Sequence, residues 1–121
     1  MAATFGTRWF TLWNGKLVGS DAFGNRYFEE ARLRKGNARK KRWVMYNGLA
    51  EPSKVPAEWH GWLHHTLETP PDAARQKRYF WQKPHIPNLT GTEGRYLQQG
   101  HLQKGGQRAK NSADYVAWKP E

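Results

Sequence analysis

Leucine, isoleucine, valine and phenylalanine make up only 19 of the 121 residues, too few for a large aliphatic core in a chain of high net charge. Seven tryptophans and five tyrosines change what such a chain can do. A few large rings can close a small core, and the others belong to the residue types that anchor interfaces. The length admits one domain at most. The expectation is therefore a small folded nucleus with further segments that order against a partner.

Twenty Lys and Arg oppose ten Asp and Glu, giving a formal charge of +10. Nucleic acid, an anionic membrane surface or an acidic protein could balance it. The absence of cysteine excludes disulfides, thiolate zinc sites, cysteine-ligated iron–sulfur clusters and thiol nucleophiles. The longest apolar runs fall far short of the roughly 18 residues of a membrane-spanning helix. The start, Met1-Ala2-Ala3-Thr4-Phe5, has neither the basic nor the apolar region of a secretory signal, so export is not expected.

Phe5, Trp9, Leu12 and Trp13 recur at helical spacing and Gly15 stands where a helix-ending glycine belongs, which predicts an amphipathic helix over 4–14. A strand competes, because Thr7, Trp9, Thr11 and Trp13 alternate with Arg8, Phe10 and Leu12. Trp9 and Trp13 suit either a membrane interface or the cap of the protein's own core. Residues 16–20 and 25–29 read as a hairpin around the turn-forming Asp21-Ala22-Phe23-Gly24, and Arg42–Tyr46 as a third strand. Ser53 as cap, Pro56 and Glu58 predict a helix over about 56–67, ended by Pro70-Pro71. On it Trp59 and Trp62 lie three residues apart, and the expectation is one in the core and the other at an edge or interface. Residues 82–121 hold no sustained period and read as an extended tail ordered by contact. The fold class is α+β: a small antiparallel three-stranded sheet with one or two short helices and a long C-terminal tail. Segment boundaries are expected at 1–14, 15–81 and 82–121.

His60 and His64, at i and i+4, have the spacing of a metal-binding pair, but no third ligand is in view: His85 and His101 sit in the tail. Glu58, Glu68 and Asp72 stand at helix-start or loop positions. Ser20, Ser53 and Ser112 lack a nucleophile elbow. The glycines of 91–94 and 105–106 lack the strand and helix of a phosphate loop. The basic stretch 32–42, with Arg39, Lys40, Lys41 and Arg42 beside Trp43 and Tyr46, allows a nucleic-acid surface. No motif of the usual nucleic-acid-binding modules accompanies it.

Three motifs taken together carry more information: residues 15–29 (GKLVGSDAFGNRYFE), 42–46 (RWVMY) and 55–65 (VPAEWHGWLHH), followed weakly by Pro70-Pro71 and by Asn88 through Thr92 to Tyr96. With them the chain resembles the small accessory subunit of proton-pumping NADH:ubiquinone oxidoreductase, respiratory complex I, a family that includes a mitochondrial assembly-factor paralogue. It looks like an alphaproteobacterial member. The resemblance implies a non-catalytic protein without cofactor or metal, partnered with core subunits of the hydrophilic arm near its junction with the membrane arm. It implies a peripheral place on the cytoplasmic side of the bacterial inner membrane, or the matrix side in a mitochondrion. Neither nucleic acid nor a second copy of the chain is then an expected partner, while residues 4–14 are a candidate for contact with a membrane surface. The residues expected at the partner interface are Trp9, Trp13, Trp43, Tyr46, Trp62, His64, His65, Phe80, Trp81, Leu89, Tyr96, Tyr115 and Trp118. The stretch Gln98–Gln107 departs from the family pattern.

Overall fold

Thr4 caps the first helix, its hydroxyl accepting the backbone N–H of Thr7 at 3.4 Å, and helix α1 (Phe5–Asn14) runs from there into the sheet without a loop. The computed structural model describes residues 4–32, 35–36, 38–71 and 78–121. Strands β1 (Gly15–Ser20), β2 (Arg26–Glu30) and β3 (Arg42–Met45) form an antiparallel sheet in the order β1-β2-β3. The hairpin between β1 and β2 is held by Asp21, whose Oδ1 accepts the N–H groups of Phe23 and Asn25 at 2.9 and 3.0 Å. Gly24 follows with φ +82, and a Cβ there would stand 2.6 Å from Asn47 Nδ2, so glycine is required on both counts.

A register shift between Leu17 and Gly19 leaves Val18 without a partner on β2. This bulge turns Gly19 to the same face as its partner Tyr27. On that face packs helix α2 (Ala57–Leu63), preceded by a 3-10 turn at Pro52–Lys54. The core there consists of Tyr27, Val55, Trp59 and Trp62, with Val18, Val44, Tyr46 and Leu63 against it. Tyr27 and Trp59 stack with ring centroids 4.0 Å apart and planes 2° from parallel, and Trp62 meets both edge-on. The opposite face carries α1: Phe10 lies 5.5 Å from Trp43, and the Trp43 indole N–H donates to Thr11 Oγ1 at 3.0 Å.

Three expectations need correction. Trp59 and Trp62 are both buried, at 8 % and 1 % exposure. A separation of 300° is only 60° short of a full turn, so both rings fall within one inward-facing arc. Helix α2 ends at Leu63 rather than near residue 67, because His65 adopts φ +58. His65 N–H then donates to Trp62 O at 3.2 Å and Thr66 N–H to Gly61 O at 2.9 Å, the two bonds of a Schellman stop. Ser53 does not cap α2: Pro56 holds that position without a side-chain bond. The Ser53 hydroxyl instead donates to Glu51 Oε1 at 2.8 Å and accepts Asn88 N–H at 3.0 Å.

Contacts divide the chain into one unit ending at Asn88 and a second, Leu89–Glu121. The second unit contains no strand, no α-helix and no buried residue. Its turns are held by polar bonds: a 3-10 turn at Leu102–Lys104, Lys104 Nζ donating to Leu97 O at 2.7 Å, and a two-pronged Arg108–Asp114 ion pair. That guanidinium holds the Asp114 carboxyl below its usual range.

Gly19 sits directly under the core stack: a Cβ added to it would lie 2.8 Å from Trp59 Cη2. Gly19→Ala is expected to lower stability by about 1–3 kcal/mol through overpacking. Urea unfolding followed by tryptophan fluorescence checks it, with the midpoint falling at unchanged m.

Candidate docking surface

Arg42 joins the sheet to the end of α2. Its Nε donates to Glu29 Oε1 at 3.2 Å, across the β2–β3 pair. Nη1 reaches the carbonyls of Trp62 and Leu67 at 2.7 and 3.1 Å, and Nη2 that of Glu68 at 3.1 Å. These are carbonyls at and just beyond a helix C-terminus, where the backbone leaves acceptors unpaired and a cation is favoured. The same guanidinium stands 4.6 Å over the Trp62 ring, closing the outer side of the core. Lys40 adds a longer contact to Glu29 at 4.0 Å.

This geometry changes the meaning of the basic stretch. Arg42 is committed to the fold and Lys40 faces a carboxylate, which removes the first and weakens the second as phosphate ligands. Residues 33, 34 and 37 of the stretch, like Asp72 further on, lie outside the described residues. His65, beside Arg42, is held below the ordinary histidine range, first by partial burial and then by the positive charges of Arg42 and Arg39, with Glu29 opposing. His60 and His64 do come together, ring centroids 4.2 Å apart. Among the described residues no cluster of three His, Asp or Glu side chains adds a further ligand.

A second polar network fixes the other end of the sheet. Asp21 Oδ2 accepts from Asn25 Nδ2 at 2.9 Å and from the Tyr27 hydroxyl at 2.8 Å. Asn25, fully buried, passes the network on by accepting Asn47 N–H at 2.9 Å. Burial, then the Asp21 carboxylate, pushes the Tyr27 phenol far up, so it stays a neutral donor. Tyr46 is also raised by burial. No buried side-chain polar atom among the described residues is left without a partner.

The residues expected at an interface fall into three groups. Trp62 belongs to the core, Tyr46 is half-buried against it, and Trp43 is half-buried on the opposite face under α1. His64 is exposed and His65 half-buried at the α2 stop. Trp9, Trp13, Phe80, Trp81, Leu89, Tyr96, Tyr115 and Trp118 are exposed. Of these, Trp9 and Trp13 share one face of α1, and Trp81 stacks on Tyr79 at 5.4 Å. Sequence reasoning missed Arg42 as the tie between β3 and α2, and it missed Asn25. Asp21 with Gly24-Asn25 spelled the turn, but nothing local marks a cation whose acceptors are 13 to 26 residues away.

The exposed aromatics are of the residue types that anchor interfaces. The sequence model of the family described as NADH ubiquinone oxidoreductase subunit NDUFA12 matches residues 15–120. The chain belongs to that family. It is 38% identical over 90 residues to NADH dehydrogenase (ubiquinone) 1 alpha subcomplex subunit 12 of Dictyostelium discoideum, covering 73% of this chain and 63% of that protein. The Bos taurus protein of the same name is 35% identical over 101 residues, covering 74% and 67%. The chain thus spans about two thirds of the length of these relatives. An uncharacterized protein of Rickettsia prowazekii is 37% identical over 54 residues, covering 45% of this chain and 54% of its own, which fits an alphaproteobacterial NDUFA12 member. Among the described residues no helix is long and apolar enough to cross a membrane.

Two outcomes follow for the α2 stop. Arg42→Lys replaces a fork reaching four acceptors by a single ammonium, and is expected to cost about 2–4 kcal/mol in chemical denaturation. Because the folded His65 titrates below its unfolded value of 6.5, the unfolded state binds more protons. Its contribution is full above pH 6.5 and is lost as pH falls through the lower folded value. Thermal melts across this range should show the loss, and His65→Asn should flatten it.

Proposed function

We propose that this chain is a non-catalytic structural subunit of respiratory complex I, lying along the hydrophilic arm near its junction with the membrane arm and stabilising or assisting its assembly. The observation that carries the reading is the family match over residues 15–120. The relatives' printed names make them subunits of a ubiquinone-reducing NADH dehydrogenase. The fold supports a binding role in two ways. The first unit leaves Trp9, Trp13, Phe80 and Trp81 exposed outside its ring-built core. The second unit, without a buried residue, exposes Tyr96, Tyr115 and Trp118, so it gains its apolar burial only against another surface. In this reading residues 1–14 and 82–121 are the contacting segments and 15–81 the scaffold between them. The peripheral position is on the cytoplasmic side of a bacterial inner membrane, with core subunits as partners rather than nucleic acid or a second copy.

Pull-down on the tagged chain from mild-detergent extracts tests this. Subunits of an NADH-oxidising complex should co-purify and resist nuclease. Tyr115→Ala with Trp118→Ala should reduce their recovery at least about tenfold, since exposed aromatics are the usual hot spots. Recovery of RNA or DNA, lost on nuclease treatment and without oxidoreductase subunits, would overturn the proposal.

A further inference from the structure

Helix α1 is mounted with its apolar face outward. Thr7, Phe10, Thr11 and Asn14 share the side that meets the sheet, where Thr11 is buried and its hydroxyl donates to Thr7 O and accepts from Trp43. Phe5, Trp9, Leu12 and Trp13 share the other, exposed by 80, 56, 80 and 72 %. Their rings run as a continuous ladder, Phe5 to Trp9 and Trp9 to Trp13 each 6.1 Å between centroids. Three polar side chains and Phe10 toward the protein, with four large apolar groups toward the outside, reverse the usual arrangement of a surface helix.

The charges carried by this stretch of chain are of one sign. From Thr4 to Ser20 the chain carries Arg8 and Lys16 and no acid. Along one margin of α1 opens a groove of about 550 Å³ with Leu12, Leu17, Phe28 and Met45 as its apolar lining and Arg8 and Arg26 as its cations. Along the other margin a second groove brings Lys41 beside Thr7 and Phe10. The nearby acid Glu30 accepts the Lys41 backbone N–H at 3.2 Å. An apolar, tryptophan-bearing helix face bordered by cations matches the interface of a bilayer with anionic headgroups: rings enter the boundary region while guanidinium and ammonium groups meet phosphates.

We propose that α1 is a peripheral membrane anchor that lies in the headgroup region of an anionic phospholipid bilayer, with Arg8 and Arg26 taking lipid phosphates at its margin. The anchor does not rest on the subunit assignment, since Phe5–Asn14 precedes the residues that match the family. One helix of this size gives reversible adsorption rather than insertion, so it orients a protein whose main attachment lies elsewhere.

Flotation of the purified full chain with vesicles tests it, using phosphatidylcholine alone and phosphatidylcholine with about a quarter phosphatidylglycerol. The chain should float with the anionic vesicles and much less with the neutral ones. Trp9→Ala with Trp13→Ala should reduce the floated fraction at least about tenfold, at unchanged far-ultraviolet circular dichroism. Leu12→Glu, at a side chain 80 % exposed, should act in the same direction and serves if the double variant misfolds. Flotation that survives both changes would mean simple charge adsorption and overturn the proposal. So would absence of flotation with the anionic vesicles; loss of partner subunits in a pull-down on the double variant would then mark α1 as a protein-docking helix. The vesicles contain no other protein, so failure here leaves the subunit reading standing.

Discussion

Tyr27 and Trp59 stack face to face with 4.0 Å between their ring centres, and much of the first unit exists in a form that permits this contact. Gly19 leaves room for the indole, because any Cβ would collide with it. The bulge at Val18 turns Gly19 to that face. Asp21 receives the tyrosine hydroxyl, so the ring can be buried without stranding its polar end. Trp62 closes the edge of the pair, and the Arg42 guanidinium covers Trp62 in turn. In a chain with so few aliphatic residues, three rings replace what a larger domain would build from leucines.

The polar bonds around this core specify its shape. Arg42 takes carbonyls that a helix stop leaves open and a carboxylate on the neighbouring strand, so β3 and α2 hold one relative position. His65 shares the same stop in a left-handed conformation that usually falls to glycine. The basic stretch 32–42 is thereby partly structural. Most rings lie outside this core, and many of them are exposed: Phe5, Trp9 and Trp13 on α1, Phe80 and Trp81, then Tyr96, Tyr115 and Trp118.

Period, turn chemistry and capping made the three strands and the first helix legible. β-type runs flank Asp21 to Gly24, and Gly15 closes a run of Phe5, Trp9, Leu12 and Trp13 spaced at i, i+4, i+7 and i+8. The ordered motifs 15–29, 42–46 and 55–65 made the family legible too. Less legible was where α2 stops, because the signal for a Schellman end is a glycine and this chain uses His65 with Arg42 supplying donors from β3. The inward position of both Trp59 and Trp62 follows from helix geometry together with the width of the face the sheet offers. Among the residues expected at an interface, exposure separates Trp9, Trp13 and the aromatics of the second unit from Trp62, a distinction that residue type does not make.

The sequence by itself determined the α+β class, the order of elements, the smallness of the core and the excess of cations, since these follow from spacing, turn residues and composition. Only the tertiary structure decided which rings became core and which became surface. The reason is physical: a helix period says that Phe5, Trp9, Leu12 and Trp13 share a face, but which face meets the sheet depends on the Thr11–Trp43 hydrogen bond and the Phe10–Trp43 contact. Those partners are 32 and 33 residues apart in the chain, and their meeting is set by the pairing of β3 with β2.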